Sequence, residues 1–173
     1  MDVGETTPLV VELTHARGEP ATDERLAVLR ELAGSDSVAL GPLYRAFDGL
    51  VFHLSGDTAG LIVAAIESLE ELNHGWRAWH ADLDPSELLE FQKRGFAFAT
   101  IAGSGEYFVL YEGRVYFSSH DGGDEEPFAV DLESFFVRAL SDPARFLDET
   151  GCHVRYSDGT TDAQYIPERF AHD

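Results

Sequence analysis

Apolar residues recur at helical spacing near the start of the chain. Thr22 is suited to cap a helix, because its hydroxyl can accept a backbone N–H and the acidic residues that follow favour the positive helix end. The residues that share one face of this predicted helix are Leu26, Leu29 and Ala33. Gly34 is a typical stop, so the pattern predicts a helix from Thr22 to Gly34.

Further helix starts follow along the chain. Pro42 begins a predicted short helix that ends at Gly49, with Tyr44 and Phe47 facing the core together. Residues 68–71 and 84–87 have capping patterns in which a Ser or Asp is followed three residues later by Glu, and the second helix runs to Gly95. Asp131 caps a strongly amphipathic helix, whose apolar face comprises Leu132, Phe135, Phe136, Ala139 and Leu140.

Between the helical segments the pattern changes to that of strands. Residues 50–54 and 61–66 are short apolar runs joined by a polar turn, which predicts a strand pair. Aromatic and β-branched residues dominate three later runs, residues 96–101, 107–111 and 114–117, which predict an antiparallel meander. The Glu112-Gly113 pair has the length of a two-residue hairpin, and the apolar run at residues 9–13 predicts an added edge strand.

This order of elements predicts an α+β fold, with one largely antiparallel central sheet covered by helices. The predicted domain spans residues 22–150, after an N-terminal extension at residues 1–21 and before a C-terminal strand and tail at residues 151–173. A length of 173 residues suits one core better than two.

The net charge of the chain narrows the range of possible functions. With 32 Asp and Glu against 12 Lys and Arg, the net charge is −20, divided as −10 over residues 1–86 and −10 over residues 87–173. Phosphate backbones and anionic membrane surfaces would repel such a chain, so neither nucleic acid nor membrane is an expected partner. An apolar content of 44% argues against a disordered acidic tail. No signal peptide or membrane span is evident in the sequence, and a cytoplasmic location is the expectation.

Candidate catalytic groups do not form a recognisable pattern. Cys152 is the one cysteine, which excludes an internal disulfide and a thiolate-rich metal site. The histidines lack the spacing of a zinc helix, and Gly103-Ser104-Gly105 lacks the remainder of a phosphate-binding loop. His120-Asp121 is a candidate base with its orienting carboxylate, although neighbours on a strand point to opposite faces. The sequence therefore predicts no cofactor, no metal and no enzymatic activity.

Surface residues remain as the candidate site. Trp76 and Trp79 lie three apart in a polar context, and large aromatic side chains often anchor protein interfaces, although core packing is the alternative for at least one of them. The acidic loop around residues 121–126 is either a solvated connection or a contact for a basic partner. The predicted partner-binding residues are Trp76, Trp79, Asp121, Asp124, Glu125 and Glu126.

The order of these motifs resembles the SUKH superfamily of bacterial immunity proteins and fungal cell-wall-synthesis regulators. The resemblance covers residues 22–150 and depends on the order and spacing of several short motifs. These motifs are residues 43–50, 68–72, 105–110, 113–117, His120-Asp121 and 132–136. The resemblance implies an α+β domain that binds proteins rather than catalysing a reaction. Its bacterial members resemble antitoxins that occupy polymorphic toxins, many of them nucleases.

Three hypotheses follow from the sequence. The first is an immunity protein that binds and neutralises a toxin domain with a basic surface. The second is a housekeeping regulatory or scaffold protein of the same fold with an unrelated partner. The third is a small hydrolase that uses His120 and nearby carboxylates. The sequence leaves the oligomeric state open.

Overall fold

Within the residues that the structure describes, seven strands form one antiparallel sheet in chain order. The computed structural model describes residues 13–54, 60–102, 106–119, 122–123, 125–141, 146, 154–155 and 161–162. The strands, each antiparallel to the next, are β1 (Leu13–Arg17), β2 (Leu50–Leu54), β3 (Gly60–Val63), β4 (Phe96–Ala102), β5 (Glu106–Tyr111), β6 (Arg114–Ser119) and β7 (Gly122–Gly123). A separate pair joins β8 (Val154–Arg155) to β9 (Thr161–Asp162).

Helices connect and cover this sheet. They are α1 (Asp23–Ala33), α2 (Ser37–Ala46), α3 (Leu69–Ala78), α4 (Glu90–Arg94) and α5 (Leu132–Ser141), with 3-10 turns at Gly34–Asp36 and Ile66–Ser68. The predicted α+β class, an antiparallel sheet covered by helices, is confirmed. In the described part of the chain, no helix has both the length and the apolar character that a membrane span requires.

The predicted strands are the best-matched part of the fold. β2 pairs with β3, and β4, β5 and β6 form the predicted meander. Glu112 and Gly113 both have positive φ, 49° and 77°, as a two-residue hairpin turn requires. The edge strand β1 begins at Leu13 and pairs with β2, so residues assigned to the N-terminal extension belong to the sheet.

Both faces of the sheet are covered, because adjacent residues of a strand point to opposite sides. Phe108 belongs to the larger core, which α1, α2 and α5 cover with buried side chains such as Leu29, Tyr44 and Phe135. Its neighbour Val109 belongs to a smaller core on the opposite face. The members of that core are Trp76, Phe91, Ala97 and Val109, contributed by α3, α4 and the sheet.

Two predicted helix caps are confirmed. The Thr22 hydroxyl accepts from the backbone N–H of Arg25 at 3.4 Å, and the Asp131 carboxylate accepts from that of Ser134 at 2.7 Å. On α1 the predicted face residues Leu26, Leu29 and Ala33 are buried, whereas on α5 the predicted core residue Leu140 is 56% exposed.

Of the other two predicted helix starts, the one at Ser68 is confirmed in position but not in its hydrogen bonds, since α3 begins at Leu69, and the one at Asp84 is wrong. Ser68 already has helical backbone angles at the end of a 3-10 turn, and its side chain makes no cap hydrogen bond to α3. Asp84 accepts from the N–H and the hydroxyl of Ser86, which closes a turn instead of beginning a helix. The helix that follows begins at Glu90, where the Gln92 side chain accepts from the Leu89 N–H at 2.8 Å.

The predicted helix at residues 42–49 is also misplaced. α2 begins at Ser37 and contains Pro42, and it ends at Ala46. Because Pro42 has no N–H, α2 lacks the hydrogen bond that would end at the Val38 carbonyl. Val38 is 80% exposed. Tyr44 is fully buried as predicted, but Phe47 lies beyond the helix, half-buried against Phe136.

Candidate functional site

One row of paired residues crosses the sheet and organises the candidate site. Thr100 of β4 pairs with Tyr107 of β5, Tyr107 pairs with Ser118 of β6, and Ser118 pairs with Gly123 of β7. The C-terminal end of α3 lies over this row, because Trp76 and Trp79 contact two of its members. Both tryptophans thus contact the same row of residues as β7, the strand that precedes Glu125 and Glu126 in the chain.

Trp76 is a core residue and not a partner-binding residue. Its side chain is 0% exposed, and its indole Nε1 donates to the Ser118 hydroxyl at 3.2 Å. The indole is packed with Phe91, Ala97 and Val109, so binding a partner through it would require opening the smaller core. The prediction of Trp76 as a contact residue is thus wrong, and its role is to hold α3 on the sheet.

Trp79 is half-buried and keeps part of its indole at the surface. Its ring meets the Tyr107 ring edge to face, with centroids 4.8 Å apart. Gly75 leaves room for this arrangement, since a Cβ there would lie 3.3 Å from the Tyr107 hydroxyl oxygen. Burial raises the pKa of Tyr107, so its phenol stays neutral beneath the indole. Trp79 is therefore a partly exposed aromatic residue whose ring is held in place by its contact with Tyr107.

The predicted acidic loop is only partly described. Glu125 and Glu126 are exposed and follow Gly123 closely in the chain. Asp121 and Asp124, together with His120, lie outside the described residues. Two of the four predicted loop carboxylates thus lie at the surface. They follow β7, whose Gly123 is the last residue of the row described above.

The sequence reasoning missed a longer acidic stretch of the chain, whose carboxylates are exposed. Residues 67–90, here called the acidic segment, contain seven carboxylates against one arginine, a net charge of −6 with histidine neutral. All seven are exposed: Glu67, Glu70, Glu71, Asp82, Asp84, Glu87 and Glu90. A local charge count would have found this segment, but two of its stretches had been interpreted as helix caps.

Several of these carboxylates have no cation beside them. Glu67 pairs with Arg25, and Glu90 pairs with Lys93 and Arg94. In the part of the chain that the structure describes, no ion pair involves the others, which are Glu70, Glu71, Asp82, Asp84 and Glu87. Trp79 and the 46%-exposed Leu83 lie within the same segment, so apolar contact area is combined with negative charge.

The acid–base chemistry of this region centres on His80. Its ring lies edge-on to Trp76 with centroids 5.9 Å apart, and its buried Nε2 finds no hydrogen-bond partner among the residues that the structure describes. Burial lowers the pKa of His80 below its ordinary value of 6.5, so the imidazole is neutral at pH 7. Across the described residues, no group of three His, Cys, Asp or Glu side chains is arranged to hold a metal ion.

His80 makes stability near the candidate site sensitive to pH. Unfolded His80 takes up a proton below about pH 6.5, whereas the folded residue resists it, so the free energy of unfolding falls as pH drops below that value. We expect urea unfolding between about pH 7.5 and pH 5 to show a smaller decline for His80→Asn than for the wild type.

His74→Asn is the control for this experiment, because His74 is exposed on α3, the helix that His80 follows in the chain. It is expected to follow the wild-type pH dependence. Equal declines in the wild type and His80→Asn would show that the buried imidazole does not resist protonation.

Comparison with protein-family models and with curated protein sequences finds no match to this chain. The SUKH resemblance thus depends on the motifs themselves. In the first of these motifs, Tyr44 donates from its hydroxyl to the Ala64 carbonyl at 2.8 Å, and Asp48 accepts from the Ile66 N–H at 2.7 Å. Both motif residues bond the segment that follows β3, which is a structural role.

Proposed function

We propose that this protein is a non-enzymatic binding module, an immunity protein that neutralises a toxin domain by covering a basic working surface. The acidic segment with Trp79 in it is the observation that carries this proposal. The SUKH resemblance adds support, because it implies protein binding and, among bacterial members, toxin immunity.

Charge favours a basic partner over a neutral one. The net charge of −20 gives long-range attraction, and the acidic segment concentrates −6 over residues 67–90. Complementary charge chiefly accelerates encounter and orients the partners, so the association rate should be high at low salt. A nuclease that binds phosphate through Arg and Lys offers the matching surface.

Trp79 supplies the short-range contact. Indole groups are common hot spots, and the edge-to-face contact with Tyr107 limits the freedom that Trp79 would lose on binding. The surrounding carboxylates remain hydrated at the edge of such a contact, where they contribute more to rate and orientation than to final affinity.

The test uses the toxin domain encoded beside the gene of this protein. We expect the two proteins to co-purify and co-expression to protect cells from the toxin. Trp79→Ala is expected to weaken binding about 30-fold, which corresponds to about 2 kcal/mol for a hot-spot aromatic. Calorimetry or surface binding with the purified pair measures this change.

Phe47→Ala is the matched control, since Phe47 is another half-buried aromatic residue and packs on Phe136 of α5, beside the larger core. It should bind the toxin as the wild type does. Adjacent genes without a toxin, or a neighbouring toxin that the purified chain neither binds nor inhibits, would overturn the immunity proposal. Equal weakening by the two substitutions would remove Trp79 from the interface.

A further inference from the structure

A cleft of about 290 Å³ lies between α1 and α2, and no residue of the acidic segment lines it. Its apolar part is formed by Leu26 and Leu29, both buried, and by Gly41. Val38, which is 80% exposed, lies at its edge. The volume is close to the lower end of the range for small-molecule pockets.

Gly41 keeps this cleft open. It lies within α2, where glycine is unfavourable relative to alanine. Among the described residues, and apart from the backbone of α2 itself, a Cβ at Gly41 would come within 4 Å of the Arg45 guanidinium alone, with Nη1 3.7 Å away, so a side chain there would extend into the cleft that Gly41 lines. The missing side chain thus creates space beneath an arginine.

Two arginines give this cleft a charge opposite to that of the whole protein. Arg30 of α1 and Arg45 of α2 both line it. Arg25, Lys93 and Arg94 form ion pairs with carboxylates, but no ion pair of Arg30 or Arg45 occurs within the described residues. Among the described residues, this cleft therefore presents two arginines that no carboxylate contacts as an ion pair, in a chain with 32 acidic residues.

We propose that the α1–α2 cleft binds a carboxylate carried on a short aliphatic chain. The guanidinium groups would accept the carboxylate through charge-assisted hydrogen bonds, and the leucine side chains and Gly41 would contact the aliphatic part. A bare inorganic anion would leave the apolar part of the cleft unused. The inference does not rest on the proposed function, because the cleft residues lie outside the acidic segment.

The test titrates the ¹⁵N-labelled full chain with hexanoate and, separately, with hexanol and acetate. We expect saturable shifts of the backbone amides of Val38, Gly41 and Arg45 with hexanoate. Hexanol lacks the charge and acetate lacks the chain, so each should bind at least about tenfold more weakly. Equal binding of hexanol and hexanoate, or no saturable shift with hexanoate, would overturn the proposal.

Variants localise the binding. Arg45→Gln should weaken hexanoate binding about tenfold, and Gly41→Leu should abolish it by filling the cleft. Gly41→Ala is a milder version that favours helix and should weaken binding without lowering the melting temperature. Arg77→Gln, which changes an exposed arginine on α3, is the control and should bind normally. Unchanged binding in both Gly41 variants would contradict the assignment.

The source of the carboxylate is distinguished by a second comparison. A pentapeptide ending in leucine carboxylate is titrated beside the same peptide with an amidated end. Tighter binding of the free-acid peptide than of hexanoate would identify a peptide chain end as the ligand, and the reverse order would identify a small aliphatic acid. Equal binding of the two peptides, at the same amides as hexanoate, would contradict recognition of the carboxylate.

Discussion

Replacing Asp48 with alanine is expected to lower the free energy of unfolding by about 3 kcal/mol. Asp48 is only 9% exposed and accepts from the backbone N–H of Ile66 at 2.7 Å through Oδ1. Its Oδ2 lies 2.6 Å from Nε of Arg25. One carboxylate therefore joins α1 to the 3-10 turn that precedes α3.

The cost of this substitution has two parts. Ile66 is 2% exposed, so removing its acceptor leaves a buried N–H without a partner. The Arg25 side chain is 38% exposed and can recover water, which reduces the ionic part below that of a fully buried pair. The backbone N–H groups of Asp48 and Gly18, bonded to the Glu19 and Gly49 carbonyls, would remain to hold the chain in place.

Urea unfolding of three variants tests this account. Glu67→Ala is the matched control, because Glu67 pairs with the same Arg25 at 3.4 Å but is 74% exposed, and its loss should cost less than about 1 kcal/mol. Asp48→Asn keeps an acceptor for Ile66 and should fall between the two. A cost for Asp48→Ala no larger than that for Glu67→Ala would contradict the role assigned to the buried carboxylate.

Asn73→Ala is the second substitution with a large expected effect, again about 3 kcal/mol of unfolding free energy. Asn73 is 7% exposed, and its Nδ2 donates to the carbonyls of Leu69 and Ala97, both at 2.8 Å. Its Oδ1 accepts from the Ala97 N–H at 2.9 Å. The side chain thus bonds both backbone polar groups of one residue in β4.

The register of the sheet explains why Ala97 needs this partner. The pairing of β3 with β4 ends where Val63 meets Ala99, so Ala97 lies beyond the end of β3. A register shift between Ala97 and Ala99 marks the same place in the pairing with β5. Asn73 takes the position of a strand partner, and its loss leaves buried backbone groups unsatisfied.

Chemical denaturation of Asn73→Ala and Asn73→Leu measures this effect. The leucine variant restores volume but not hydrogen bonds, so both should be destabilised by similar amounts. His74→Ala, an exposed change next in sequence, should alter stability by no more than about 0.5 kcal/mol. Wild-type stability of Asn73→Leu would show that filling space matters at this position and that the hydrogen bonds do not.

The strands were predictable because their signals are local. Alternating and aromatic runs specify β4, β5 and β6, and Glu112-Gly113 supplies the turn between the last two. The start of α3 was also predictable, because the capping pattern places it at Ser68 and the helix begins at Leu69. The 3-10 turn before it was not predictable. Its Ile66 N–H is bonded by Asp48 from another part of the chain, and the Ser68 N–H donates to the Ala65 carbonyl at 2.8 Å instead of to Glu71.

In the candidate site, too, some features depend on local sequence and others on contacts between distant parts of the chain. Trp76 and Trp79 look alike in sequence, but burial depends on which side of α3 meets the smaller core, and only Trp76 enters it fully. The row of pairs that brings Trp79 over β5 and Trp76 to β6 is a property of strand register. The charge of the acidic segment, in contrast, can be counted directly from the sequence.

We propose that the acidic segment attracts a basic protein partner. The most direct test is the association rate constant with the neighbouring toxin domain, measured by stopped flow between about 0.05 and 0.5 M salt. One variant combines Glu70→Gln, Glu71→Gln and Glu87→Gln. Its control removes the same charge from exposed residues of α1 and α5 by Glu24→Gln, Glu31→Gln and Glu133→Gln.

The acidic-segment variant is expected to associate at least about tenfold more slowly at low salt, with a shallower salt dependence than the wild type. The control should stay within about threefold of the wild type, because its charges lie outside the segment. Equal rates and equal salt dependence for the two variants would contradict a binding role for the acidic segment.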